Sequence, residues 1–358
     1  DKIYTRFVEQ LPSLEGKCIV ITGTTSGTGN EAALVAAEKG AAAVLLLNRK
    51  SERADSADAK LALASPNTKF ISVVCDLSSL ASTKEAAAAV KGHAGAFGGV
   101  DVLCCNAAIA QMPDSRTADG FDVQMQTNHL SHALLVEELM PCLEAAAAAR
   151  SEARVVFHAS GARFFPFTKV EDFGGKHFTK CEPGTLGGDC TTMQLLSMKS
   201  AHSVRYNHSK LAMTTYAMAL HEKLAAQGSK VKVVCCEPGS AETSLISKGF
   251  MISEGVPANA TLVWMANKVA AWTSMAQSAR DGACPLMAAA FGADAQSGDM
   301  FAPMSKASGM PVYVTGWPTK VIAANKPVPD AKLSEENTLN TEYQIASWDA
   351  TRRALGLP

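Results

Sequence analysis

The sequence predicts an α/β fold: a doubly wound parallel sheet in a single domain, with a long insertion and a C-terminal extension. Three observations predict it. Short apolar runs recur along the first two thirds of the chain, alanine-rich helical segments separate them, and the first run ends in a glycine-rich turn that leads into a helix. Strands that read as unbroken apolar runs are buried on both faces, which a parallel sheet covered by helices on both sides requires.

Taken in order, residues 1–15 read as a polar lead-in. Residues 17–22 form the first strand, rich in β-branched side chains. Further strands are expected at 43–47, 68–75, 100–105, 153–159 and 230–236. Helices are expected at 30–39, 53–64, 79–92, 121–149 and 207–227. Two regions break the alternation. Segment 164–203 is rich in Phe, Gly, Thr and Lys without a clear period, and an irregular stretch of that length is usually functional. Beyond residue 240 a helix is expected over about 258–278, followed by a stretch punctuated by Pro, Gly and Ser. The division that results is 1–250 for the main domain, carrying the insertion 164–203, and 251–358 for an extension packed on its substrate side.

The 358 residues are 47% hydrophobic and 19% charged, with a net charge of −1. Such a balance offers no basic field for nucleic acid or an anionic membrane. No apolar run of spanning length occurs, so no transmembrane segment is expected. Ten cysteines are present, and two pairs, Cys104–Cys105 and Cys235–Cys236, are adjacent within strands. Successive strand residues point to opposite faces, so neither pair bridges to itself. Without a CxxC or Cys/His ligand spacing, no metal site is predicted. The thiols read as buried groups of a reducing compartment, cytoplasm or organelle interior. Asp1 in place of an initiating Met leaves open both a removed targeting peptide and a trimmed chain.

The turn Thr22-Gly-Thr-Thr-Ser-Gly-Thr-Gly29 lies between strand and helix. Its glycines let a pyrophosphate approach the main chain, and the helix N-terminus beyond offers free N–H groups and a favourable dipole. Gly23, Thr25, Ser26, Gly27, Thr28 and Gly29 are therefore candidate cofactor-binding residues, in the strand–turn–helix context that supports the reading. The spacing is TGxxxGxG, and other motifs follow in order: Asp76-Leu77, Cys105-Asn106-Ala107-Ala108, Asn128 in Thr127-Asn-His-Leu130, Ser160, Tyr206-Asn-His-Ser-Lys210 and Pro238-Gly239. Over about residues 15–245 this set resembles the short-chain dehydrogenase/reductase family, with the first Asn and the Gly of its NNAG segment replaced. Asp119-Gly-Phe-Asp122, Ser209-Lys-Leu-Ala212, Asp281-Gly-Ala-Cys-Pro-Leu286 and Ser297-Gly-Asp299 are similar to its retinol dehydrogenase and WW-domain oxidoreductase branch. The long insertion is shared with protochlorophyllide reductases.

The resemblance implies a Rossmann-type fold and a nicotinamide-dependent oxidoreductase acting on CH–OH/C=O groups. Tyr206, Lys210, Ser160 and Asn128 are its catalytic group. A free Tyr, with a pKa of about 10, is a poor base at neutral pH. A Lys one helical turn away favours the phenolate and lowers that value. Lys210 would also reach the nicotinamide ribose, Ser160 would bond the substrate oxygen, and Asn128 would hold a water linking Lys210 to solvent. Asp76, Leu77, Asn106, Ala107, Ala108, Pro238 and Gly239, with Tyr206 and Lys210, complete the cofactor site. At the end of the second strand stand Asn48 and Arg49, where an acidic residue would accept from the ribose hydroxyls of NAD. Arg49 offers a fork to a 2′-phosphate, so NADP(H) is the expected cofactor, with NAD(H) as the lesser one. His158, His202 and His208 read as bystanders, since no GxSxG elbow accompanies them. The phenylalanines Phe164, Phe165, Phe167, Phe173 and Phe178, with hinges at Gly174–Gly175 and Gly187–Gly188, suggest either a lid over a bulky apolar alcohol or carbonyl substrate or a face that packs on the domain surface or on another subunit. Two other functions stay open: a catalytically idle scaffold or cofactor sensor in a larger assembly, and a lipid- or pigment-binding module using 164–178. A homo-oligomer is also left open.

Overall fold

The computed structural model describes residues 2–164, 169–187, 201–239, 277–304, 310–313 and 338–358. Strands β1 (Cys18–Thr22), β2 (Ala43–Asn48), β4 (Val102–Cys105) and β5 (Ala153–His158) are buried at every position, which is why each reads as an unbroken apolar run. β3 (Lys69–Val74) lies at one edge and is partly exposed. β6 (Val231–Cys236) is followed by β7 (Met300–Pro303) and β8 (Pro311–Tyr313). The order is β3-β2-β1-β4-β5-β6-β7-β8, with the first seven parallel and β8 antiparallel to β7. This is a Rossmann-type doubly wound sheet.

Helices α1 (Lys2–Glu9), α2 (Gly27–Glu38), α3 (Glu52–Ala64) and α7 (Ala279–Phe291) send side chains such as Phe7, Val35, Leu61 and Met287 to one face of the sheet. The other face is covered by α4 (Leu80–Ala94), α5 (Ser131–Arg150) and α6 (Ala201–Ala226), through Val90, Leu139 and Met213. The adjacent cysteines alternate as strand geometry dictates: Cys105 and Cys235 enter one core, Cys104 and Cys236 the other. All nine described cysteines are free. Among the described residues no helix is long and apolar enough to cross a membrane.

The region after residue 250 supplies α7, β7 and β8 to the same layers and then α8 (Thr341–Leu355), which packs on the outer side of α6. The expected helix over 258–278 falls almost wholly outside the described residues; Gln277 and Ser278, within reach of them, are not helical.

Three expectations are corrected. The polar lead-in contains α1, whose Tyr4 and Phe7, with Leu11 beyond its end, make a buried stripe at helical spacing. The stretch past 278 is not simply irregular, because α7 forms despite Gly282 and Pro285. Its residues from Gly282 to Phe291 are buried, so packing outweighs propensity there. Helix α6 begins at Ala201, so Tyr206 and Lys210 lie inside a helix rather than at its start.

For the insertion's phenylalanines two arrangements are expected, a lid or packing on the domain. Phe173 and Phe178 are buried and join Phe121, Met125, Leu130 and Leu211 with Tyr343 and Ala350 of α8. Their rings meet edge-on at 5.7 Å, and Phe173 lies 5.3 Å from Tyr343. These two rings take the second arrangement, packed on the domain itself. Gly174 faces α8, where a Cβ would make an ordinary contact at 3.5 Å with the Ala346 carbonyl oxygen. Residues 165–168 and 188–200, and the Phe164 side chain, lie outside the described part.

Candidate active site

The glycine turn is held from three sides. Gly23 and Gly27 adopt positive φ angles of 75° and 67°. A Cβ on Gly29 would stand 2.4 Å from both the Asn106 Nδ2 and the Gly23 carbonyl oxygen, so the turn closes only with glycine there. Asn106, after β4, donates from Nδ2 to the carbonyls of Thr22 (2.8 Å) and Gly23 (3.3 Å), and its Oδ1 accepts from Thr28 Oγ1 at 3.0 Å. The Thr22 hydroxyl accepts from the backbone N–H groups of Asn106 and Ala107, both at 2.9 Å. Nδ1 of His132 lies 2.9 Å from the Asn128 carbonyl and must carry the proton, so its Nε2 accepts from Thr22 Oγ1 at 2.9 Å.

Asn48 is buried and engages Thr24 twice, accepting from its N–H at 2.9 Å and donating to its hydroxyl at 2.7 Å. It shapes the turn from within. Arg49 and Lys50 are exposed. Arg53, on the first turn of α3, donates to Ser26 Oγ. Sequence reading missed Arg53; its one signal was its place four residues after Arg49 in a helix start. Ser26 makes no side-chain cap to α2, so the helix N-terminus presents open N–H groups beside a guanidinium. Asp76 accepts from the Ser78 N–H and hydroxyl at 2.9 and 2.7 Å. The buried Leu77 gives its carbonyl to Ser131 Oγ. Ala108 is partly buried beside Ala107, and Thr25 is partly exposed on the turn. Pro238 and Gly239, with φ 64° at the glycine, follow β6, and the Pro238 carbonyl accepts from Gln277.

The four catalytic candidates converge. The Ser160 hydroxyl hydrogen-bonds the Tyr206 hydroxyl, and the ring sits among Ala110 and Ala162. Lys210 Nζ donates to the His158 carbonyl at 2.8 Å and lies 5.9 Å from the Tyr206 ring centroid. An ammonium has three protons to donate, so Lys210 keeps capacity for a ribose. Asn128 stands in a π turn, Gln126–Leu130, ahead of α5. Its carboxamide is held on both atoms: Oδ1 accepts from the Ile109 N–H (2.8 Å), and Nδ2 donates to the Ile109 carbonyl and Ser209 Oγ, both at 2.9 Å. The amide thus braces β4's exit against α6, and Oδ1 keeps a second acceptor position.

The expected lowering of the Tyr206 pKa is also corrected. Burial pushes the phenol up to about 12, with the Ser160 bond pulling the other way. Burial pushes Lys210 down to about 8. Desolvation of the phenolate outweighs a cation whose hydrogen bond is turned toward His158.

Around this group, Arg163 and Glu237 form a buried ion pair, and Arg163 also donates to the Ser160 carbonyl at 3.0 Å. Arg205, next to Tyr206, pairs with Asp114 (3.7 Å) and Asp122 (3.4 Å) and donates to the carbonyl of Leu186 in the insertion. His208 stacks on His177 of the insertion at 4.3 Å. His202 is buried on α6, and its carbonyl accepts from Gln124. His158, however, sits at the heart of the site through both its carbonyl and its ring. Among the described residues no cluster of ligands could hold a metal.

A glycine-rich turn, a helix N-terminus without a side-chain cap and a Ser–Tyr–Lys group are the features that this site brings together. Residues 17–175 match the family model described as short chain dehydrogenase. Over this stretch the chain is similar to the short-chain dehydrogenase/reductase family. It is 31% identical over 239 residues to a short chain dehydrogenase/reductase of Colletotrichum higginsianum, covering 65% of this chain and 56% of that one. It is 32% identical over 238 residues to human WW domain-containing oxidoreductase (66% and 52%), and 29% identical over 239 residues to bovine retinol dehydrogenase 12 (67% and 66%). The chain thus spans about half to two thirds of these relatives. Among solved structures, an uncharacterized protein from Mycobacterium paratuberculosis shares the fold with a TM-score of 0.63 at 23% identity, over 98% of this chain and 97% of that one.

Proposed function

We propose that this chain transfers a hydride between NADP(H) and the carbonyl or alcohol group of an apolar small molecule, with Tyr206 as proton donor and acceptor. The observation that carries this reading is the convergence of Tyr206, Ser160 and Lys210 beside the glycine turn. The cofactor, when bound, supplies the hydride; the open N-terminus of α2 and the unused donors of Lys210 suit its pyrophosphate and ribose. Ser160 holds the substrate oxygen against Tyr206, and Tyr206 gives that oxygen its proton as negative charge gathers there. Lys210 stabilises the phenolate left behind. Burial keeps Tyr206 a phenol at neutral pH, which suits reduction, the direction that consumes a proton.

The test is NADPH oxidation against a panel of aldehydes and ketones of increasing apolar bulk. Turnover should be highest with large substrates. Relatives carry the names retinol dehydrogenase and polyprenol dehydrogenase. No turnover with any carbonyl would overturn the reading.

The preference for NADP(H) rests on Arg49 and Arg53, two guanidiniums at the adenosine end with no carboxylate at residues 48–50. Losing a charge-assisted bond to the 2′-phosphate costs about 1.5–3 kcal/mol, or about ten- to a hundredfold in affinity. Arg53→Ala and Arg49→Ala should each weaken NADPH by that order while NADH binding changes little. Titrations that move both cofactors equally would remove both arginines from the specificity site.

A further inference from the structure

His158 ends β5, paired in register with Cys236, and meets both halves of the site. Its carbonyl accepts from Lys210 Nζ at 2.8 Å, and its Nδ1 lies 2.7 Å from Asn106 Oδ1. The direction of the second bond follows from the other contacts of Asn106. Nδ2 faces the carbonyl oxygens of Thr22 and Gly23, which only accept, so Oδ1 is the accepting end of the amide and His158 Nδ1 carries a proton. Thr28 Oγ1 donates to the same Oδ1. Each donor and acceptor position of the carboxamide is therefore engaged, and His158 supplies the one contact that comes from outside the β1–α2 unit. The space around it is closed. A Cβ on Gly29 would stand 2.4 Å from Asn106 Nδ2, so a shift of Asn106 toward α2 would move the glycine turn with it. Burial holds the imidazole down to about 3, so the ring stays neutral and keeps this one arrangement over the working range.

We propose that His158 is a positioning residue of the dinucleotide site, its Nδ1–H fixing Asn106 and, through Asn106, the shape of the turn from Gly23 to Gly29. It does not touch the pyrophosphate; it acts through Asn106. Its link to Lys210 runs through the backbone carbonyl, which any side chain at 158 retains, so the two functions separate by substitution. The inference rests on the nicotinamide-dependent reading above.

The test compares the full-length wild type with His158→Val and His158→Asn, reading NADPH dissociation constants by fluorescence titration well below each melting temperature. His158→Val should weaken NADPH about tenfold or more. His158→Asn, whose Nδ2 occupies the place of Nδ1, should return affinity to within a few-fold of wild type even where its melting temperature stays low. A merely structural role would lower both melting temperatures and leave both affinities unchanged. Unchanged affinity in His158→Val overturns the proposal, and so does equal weakening in the two variants, since lost packing would then explain it. If His158→Val does not fold, His158→Gln, which fills the space but carries its amide one bond too far, takes its place with the same expectation. A wild type that binds neither NADPH nor NADH overturns the nicotinamide-dependent reading itself, a result distinct from any difference among variants.

Discussion

Tyr206→Phe is expected to lower turnover by about a hundred- to ten-thousandfold, the usual contribution of a positioned proton donor. The substitution removes one oxygen and leaves the ring among Ala110 and Ala162. NADPH affinity should stay within a few-fold, because Lys210 keeps its bond to the His158 carbonyl. Lys210→Met should differ in kind, losing cofactor affinity as well as turnover, since one ammonium serves both. Initial rates at saturating NADPH, read beside fluorescence titrations of the same samples, separate the two. Near-normal turnover in Tyr206→Phe on a confirmed substrate would mean that another group delivers the proton.

Acid should unfold the protein steeply. Burial holds His129, His158 and His177 down to about 3 and His132 to about 4, against 6.5 for an exposed ring. His208 is lowered as well. Below pH 6.5 the unfolded chain binds protons that the folded one refuses, so this stability is complete above 6.5 and is lost as pH falls toward 4 and then 3. Each ring contributes about 1.4 kcal/mol per pH unit in that window, and the four with values together on the order of 5 kcal/mol per unit. Asp122, pushed up to about 6 by burial, and Asp58, also raised by burial, work in the opposite sense, but they are two groups against several. For a domain of ordinary stability, about 5–15 kcal/mol, the loss is decisive near pH 5. Urea midpoints at pH 7.5 and 5.5 should differ sharply, with several protons taken up on unfolding at the lower pH. Equal midpoints would mean that these rings are protonated in the folded state.

The sheet was legible in the sequence because its central strands are covered on both faces, so burial writes itself as unbroken apolar runs. The glycine turn and the candidates Asn128, Ser160, Tyr206 and Lys210 were legible as spaced residue types, and the structure brings them together. Other elements were hidden for separate reasons. Helix α7 carries Pro285 and Gly282 in its interior and is held by burial, which local propensity does not report. Helix α8 did carry readable signals, an Asn340 cap that accepts from Glu342 N–H and Gly356 at its end with φ 64°, yet the surrounding Pro and Gly obscured them. The phenylalanines of the insertion announced an apolar face without saying what it covers; Tyr343 and Ala350, far along the chain, decide that. The roles of Arg53 and His158 rest on partners 27 and 52 positions away, beyond the reach of any local pattern.

Helix α8 bears on the order in which the molecule assembles. Its bonds to the rest of the site join distant parts of the chain: Ser347 to the Ala212 carbonyl, 135 positions apart, Thr351 to His129, 222 apart, and Arg352 to Glu137, 215 apart. Closing such loops adds only modest entropy beyond that of shorter ones, but contacts of this separation slow folding. Strands β1, β2 and β4 with the glycine turn lie within the first 105 residues and can come together early. The back of α6, where Tyr216 stacks on Trp348, is completed by α8. Helix α6 therefore takes its final packing only when residues 135 to 222 positions apart have met.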